Sequence, residues 1–314
     1  MVCPVGNDLA YMIRKLREGM AASGNAPEGL IGATKRAITI GSPMGVKLPA
    51  LQAQIRGVEA ETGLKIPVDV ENVDYMLLLS SMEIMNFPEF IGAVGKIFDK
   101  AGVSWTISSE AFEATNSGIQ IGVSDLAAEL VQRIVDAAEK LKVKNVISPE
   151  CGHAYMAIRW DGPNLVGKAF SFNVVHILEV LDELRKAGKL KLKDKEGGSL
   201  TYHDPCQIAR RGGVLEQPRN LMREMSENFV EMPEAGQMNW CCGAGGGVSS
   251  NERADDLRIK VFNRKKSQLD SIKVDGMVSA CSNCRIHLEE GLEEYHMELP
   301  VLSLTETIAE HLAD

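Results

Sequence analysis

The chain has 314 residues, 45% of them hydrophobic and 25% charged, which is the composition of a globular protein large enough for two modest domains. Its net charge of −9 leaves no basic excess to meet phosphates, which argues against a nucleic-acid partner. No uncharged apolar run reaches the roughly 18 residues of a bilayer span, and no signal segment opens the chain, so a cytoplasmic protein is expected, with its seven cysteines as thiols, metal ligands or redox groups rather than disulfides.

The first segment reads as a helix from Asp8 to Ala22, with Leu9, Met12, Ile13, Leu16 and Met20 on one face, stopped by SGNAPEG. From residue 36 strands and helices alternate. RAITIG (36–41), DYMLLLS (74–80), VSWTI (103–107) and VKNVIS (143–148) read as strands. PEFIGAVGKIFDKAG (88–102) reads as a helix begun at a proline and ended at Gly102, and SDLAAELVQRIVDAAEKL (124–141) as a helix capped by Ser124. After a polar stretch, AGKLKLKDKEGG (187–198), that reads as a linker, the pattern returns. SLTYHD is a strand, EQPRNLMREM a helix, NERADDLRIKVFNRKKSQLD a long helix, and DGMVSA a short strand. Both halves run helix, short strand, then cysteine, which predicts an internal duplication with a period of roughly 130 residues. The expected fold class is α/β with largely parallel strands. The expected divisions are a helical segment at 1–34, a first α/β unit at 35–190 and a second at 191–314.

Cysteine use separates the two units. The second holds Cys206, Cys241, Cys242, Cys281 and Cys284 in the pattern C-x34-CC-x38-C-x2-C, and each lies in a segment that follows a strand. Loops at the carboxyl ends of parallel strands converge on one crevice, so five thiols are expected at one place. Buried free thiols and a disulfide framework are weaker readings of such a cluster in this compartment. Structural zinc takes four ligands and leaves one cysteine over. Many thiolates at one locus suit a multinuclear iron–sulfur site. The following GAGGG, with Gly243 and Gly245, lets backbone N–H groups approach cluster sulfides. The run lacks the Lys-Ser/Thr of a phosphate loop.

HDPCQIARRGG, NWCCGAGGGV and SACSNCRIHL resemble the CCG domain of the B-type and D-type components of heterodisulfide reductases and of the related DsrK-type component. The resemblance implies two tandem CCG-type units and one non-cubane [4Fe–4S] cluster per chain on Cys206, Cys241, Cys242, Cys281 and Cys284, where disulfides are cleaved or formed. It implies an oxidoreductase acting on a disulfide or trisulfide, with a small DsrC-like carrier protein favoured over a small heterodisulfide. Other redox subunits, among them a membrane quinone-linked one, would be partners. The first unit departs from the pattern: Ser80 and Ser81 stand near the first cysteine's place, SSEAFEATNSG at the Cys-Cys place, and PECGHAY, with Cys151 and His153, at the Cys-x-x-Cys place. It is a degenerate copy, expected to leave Cys151 and His153 lining the domain interface. Cys3 and Pro4 with the helix behind them resemble the tail of a ferredoxin module, so ferredoxin-type clusters are expected only in a longer parent chain.

Nearby groups complete the expectation. His203 is a candidate proton donor or acceptor. Arg210 and Arg211 are candidates to attract a thiolate or an acidic tail. Trp240 is expected over the cluster, and Arg159 and Trp160 at the same crevice. Two other readings stand beside the reductase: a non-catalytic electron relay in a quinone- or flavin-linked complex, and a zinc-stabilised interaction module.

Overall fold

A computed structural model of the chain describes residues 3–193 and 195–313. Asp194 of the expected linker, and Met1, Val2 and Asp314 of the terminal segments, lie outside the described residues.

Among the described residues, eight strands form two four-stranded sheets. The first holds β1 (Tyr75–Leu77), β2 (Trp105–Thr106), β3 (Asn145–Ser148) and β4 (Asn173–His176) in the order β2-β1-β3-β4. The second holds β5 (Glu196–His203), β6 (Ser226–Val230), β7 (Gly276–Ser279) and β8 (Val301–Ser303) in the order β6-β5-β7-β8. Every pairing within the sheets is parallel, and the two orders are the same, as a duplication requires. Parallel strands need crossover connections and bury both faces, which explains their short apolar runs. One hydrophobic core joins the sheets, running from Phe90, Ile97 and Tyr155 to Tyr202, Leu221 and Phe262.

The strand order reverses between β1 and β3 in the first sheet and between β5 and β7 in the second. Such switch points open a crevice at the strand carboxyl ends. The two crevices face each other across a tight seam. A Cβ on Gly152, just after β3, would stand 2.9 Å from the Gln207 and Ile208 side chains, just after β5. Ser282 N–H donates to the Glu150 carbonyl at 2.8 Å across the same seam.

Several local readings need correction. RAITIG is not a strand but the end of the helix Glu28–Ile40. Leu30, Ala33, Thr34 and Ala37 are buried at helical spacing, and this packing outweighs the strand preference of Ile38, Thr39 and Ile40. The helix closes at Gly41 with φ 90°. A further helix, Leu48–Thr62, buries Leu51, Ile55 and Val58 and is absent from the sequence reading. Ser124 is the first helical residue rather than the cap; Val123 stands at the cap without a side-chain bond. The polar stretch 187–198 is no free linker: Leu190 is buried, Leu192 bridges to Leu312, and β5 starts at Glu196.

The first helix, Leu9–Ala22, is capped by Asp8, whose carboxylate accepts the Tyr11 N–H at 3.0 Å. Its apolar face stays exposed. The helix is held by arginines instead: Arg14 pairs with Asp161 at 2.7 Å, and Arg17 donates to the Gln120 and Gly246 carbonyls at 2.9 and 2.7 Å. No helix of the described residues is long and apolar enough to cross a membrane.

Candidate metal centre

Each expected thiol reaches the seam from a loop after a strand. Cys206 follows β5 and opens a single wide turn, Gln207–Arg211. Cys241 and Cys242 end the long loop after β6. Cys281 caps the helix Ser282–Glu294 after β7, and Cys284 lies one turn inside that helix. All five line one cavity of about 350 Å³, together with Cys151 from the first half.

The sulfurs of the vicinal pair each meet further neighbours. Cys241 Sγ lies 3.9 Å from Cys206 Sγ and accepts the Gly243 N–H at 3.3 Å. Cys242 Sγ, Cys284 Sγ and a ring nitrogen of His203 lie within 4.8 Å of one another. Gly243 has φ 98°, a left-handed value that favours glycine and turns this N–H back onto Cys241. Gly246 and Gly247 share that region with φ 66° and 89°. Gly245 lines the cavity at a φ open to any residue, with open space where a Cβ would stand, so nothing in its surroundings demands a glycine.

The thiols share protons. Hydrogen bonds from Cys206 and Cys242 pull the Cys241 thiol far down, and push Cys206 and Cys242 up in turn. Cys284 lowers Cys281 to about 7, and Cys242 and Cys281 raise Cys284. Such mutual hydrogen bonding among thiols marks sulfurs close enough to share one metal-bound group, whose binding would release their protons.

His203 is 1% exposed, and neither ring nitrogen has a hydrogen-bond partner among the described residues. Burial, and next the Lys265 charge, hold it well below the ordinary histidine range, so it is a neutral ring aimed at sulfur. Arg210 is not at the cavity. It donates to the Gln237 carbonyl at 2.8 Å and Asn239 Oδ1 at 3.0 Å, fastening the loop before the Cys-Cys pair. Arg211 lines an adjoining cavity of about 320 Å³ with Arg14, Arg17, His153 and Gln207. Trp240 does not cover the thiols: its side chain is 44% exposed, with the Arg264 guanidinium 5.2 Å from its ring centroid. Arg159 and Trp160 stack on each other outside the cavity, at 5.3 Å.

The first half supplies the opposite wall. Cys151 caps its helix with φ −141° and ψ 99°, close to the −150° and 109° of Cys281. It therefore occupies the duplicate of that position, while Ala154 stands in place of Cys284. Ser80, Ser81 and Thr115 line the same wall.

Three buried carboxyl groups behind this wall escape the sequence reading. Glu83 accepts the Ser80 N–H at 2.7 Å and the Ser282 hydroxyl at 3.2 Å. Glu113 accepts the Ser81 hydroxyl, and Ser42 lies 3.0 Å from that hydroxyl. Glu150 accepts the Thr305 N–H and hydroxyl at 2.9 and 2.7 Å. Burial raises all three, Glu150 to about 7. Only Ser80 and Glu83 leave a trace in the sequence, as a capping box. Because the folded value of Glu150 lies above its ordinary 4.5, its contribution is complete at acid pH and lost as pH rises toward 7. Thermal melts of metal-free protein are expected to fall over that interval, and less steeply in Glu150→Gln. An equal slope in the variant would refute the assignment.

Residues 200–289 match the cysteine-rich CCG domain. The chain is 31% identical over 225 residues to the D component of dihydromethanophenazine:CoB–CoM heterodisulfide reductase from Methanosarcina barkeri, covering 70% of this chain and 54% of that protein. It is 26% identical over 308 residues to the second iron–sulfur component of the Hdr-like menaquinol oxidoreductase from Archaeoglobus fulgidus, covering 83% and 55%. It thus spans about half the length of the curated relatives it matches. Among solved structures, a hypothetical protein from Helicobacter pylori shares the fold, with TM-score 0.54 and 11% identity over 84% of this chain and 54% of that one. The matched segment contains all five clustered cysteines, and the chain belongs to the CCG family that includes the D components of heterodisulfide reductases.

Proposed function

We propose that the chain is an iron–sulfur oxidoreductase subunit that holds one non-cubane [4Fe–4S] cluster on Cys206, Cys241, Cys242, Cys281 and Cys284. There it reduces, or in reverse forms, a disulfide or trisulfide. The observation that carries this reading is five thiols in one cavity whose second wall bears no such set. The donor set fits: five soft sulfurs exceed what one zinc takes, and the unpartnered His203 ring suits a sulfur-rich neighbour. When bound, the cluster supplies single electrons and a site for substrate sulfur.

The balanced reaction adds two electrons and two protons to an S–S bond and releases two thiols. The chain's own residues supply the rest. Burial raises the Glu113 carboxyl, which accepts from the Ser81 hydroxyl at the cavity wall, so the pair forms a route by which a proton can reach the cavity. His203, neutral and enclosed with no partner on either ring nitrogen among the described residues, is free to donate a hydrogen bond to a sulfur of the bound cluster. Arg211, beside Arg14 and Arg17, places positive charge where an anionic tail would enter. A small DsrC-like carrier protein fits such an entrance, with the chain held in a cytoplasmic redox complex, peripheral on a membrane where a quinone-linked partner is present.

The test is metal analysis and EPR of anaerobically purified protein, before and after a thiol substrate is added under oxidation. Roughly four irons and a signal that changes with thiol are expected. A signal indifferent to thiols would leave an electron relay. Zinc without iron would sink the redox reading.

A further inference from the structure

Behind the Cys-Cys-Gly loop packs the helix Asp255–Leu269. A Cβ on Gly243 would meet Val261 Cγ1 at 3.1 Å and the Arg258 carbonyl at 3.2 Å, so loop and helix touch directly. One turn further along the helix is Lys265, which is 2% exposed. Its ammonium donates to Gln268 Oε1 at 2.7 Å and approaches Met232 Sδ at 3.3 Å. Among the described residues it makes no ion pair. Asp204, the carboxylate whose charge acts on it, is already bidentate to Arg219 at 2.9 Å for each bond and accepts the Gly236 N–H at 2.6 Å.

A buried ammonium without a counter-ion is strongly unfavourable. Arg219 is shared between Asp204 and Glu231, at 2.9 and 2.7 Å, so those three charges are committed to one another and Lys265 is left enclosed without an ion pair among the described residues. The groups that feel it are the thiols of Cys242, Cys284 and Cys241, with Asp204, and the His203 ring on the other side. Burial lowers Lys265 only to about 8, so it keeps its proton at neutral pH.

The proposed cluster would supply the partner that Lys265 lacks, because iron and sulfide ligated by several thiolates carry net negative charge. We infer that Lys265 is the cluster's buried counter-charge and a positioning residue for its reduction: it favours the more negative, reduced form and so sets the potential. The inference rests on the cluster reading above. It also gives the helix Asp255–Leu269 a task that its packing alone does not require.

The experiment uses the full chain, purified anaerobically, with Lys265→Met and Lys265→Arg. Iron is quantified first, and the midpoint potential is then followed by EPR. Lys265→Met is expected to shift the one-electron equilibrium about tenfold toward the oxidised form, about 59 mV more negative, with Lys265→Arg returning most of it. After iron is removed, Lys265→Met is expected to melt at a higher temperature than the wild type, since the unpaired charge is gone. An iron-replete Lys265→Met variant with an unchanged potential would overturn the inference and leave the cluster reading standing. A variant that cannot hold iron still answers through its metal-free melt, where a temperature below the wild type's would overturn it. Wild-type protein that takes zinc in place of iron removes the cluster reading, and the inference with it.

Discussion

Serine at Cys242 is expected to cost the protein its iron and its colour while leaving the fold in place. The Cys242 sulfur is buried and shares its site with Cys284 and the His203 ring. A serine oxygen is harder and binds iron–sulfur units poorly. Losing a ligand's supporting partner alone costs roughly 10–100-fold in metal affinity, and loss of a ligand costs more. The metal-free variant is expected to unfold within about 1 kcal/mol of the wild type, because the change removes one buried sulfur at a cavity wall. Cys151→Ser is the control. It lies in the same cavity, but alone on the degenerate side, and iron content is expected to stay unchanged. Iron retained in Cys242→Ser, or lost in Cys151→Ser, would require a different ligand set.

Arg219→Met is expected to destabilise the protein by about 3–5 kcal/mol, the usual cost of leaving half of a buried ion pair behind. Asp204 is 2% exposed and receives two of its hydrogen bonds from that guanidinium. The damage reaches the metal site. Asp204 also accepts the Gly236 N–H, and its carbonyl accepts from the Asn239 side chain. Arg210 grips Asn239 from the other side, two residues before Cys241. The Cys-Cys loop therefore hangs from Asp204, and iron content is expected to fall together with stability. Urea unfolding of Arg219→Met, Asp204→Asn and the double variant measures the pair. A double variant no more stable than Arg219→Met would show that the unpaired carboxylate is not the cause.

The cysteine site is legible in the sequence because its signal is local. A cysteine after each strand needs only parallel topology to become a cluster, and strand order supplies it. Arg210 reads as substrate-facing because adjacent arginines on a loop look alike in one dimension; the structure turns one toward Asn239 and the other toward the entrance. RAITIG misleads for a different reason: three β-branched residues in a row favour a strand until Leu30, Ala33 and Ala37 find a core. Glu113 and Glu150 are invisible, and Glu83 shows only as a capping-box residue, because nothing in a sequence marks a carboxyl group that residues distant in the chain will cover. Lys265 is hidden in a helix rich in lysine and arginine, where one buried member reads like its exposed neighbours.

The repeated strand order has a last consequence. Doubling a fold doubles its cleft wall, and here the two walls have come to prefer different elements. One offers five thiols; the other offers the hydroxyls of Ser80, Ser81 and Thr115, with a single thiol, Cys151, among them. Soft donors are thus gathered on one side of the cleft and hydroxyl groups on the other. A metal that seeks sulfur has one place to settle, while the hydroxyls across from it can only exchange hydrogen bonds with what enters. Divergence after duplication has made this cleft chemically two-faced, so whatever enters it must arrive with a defined orientation.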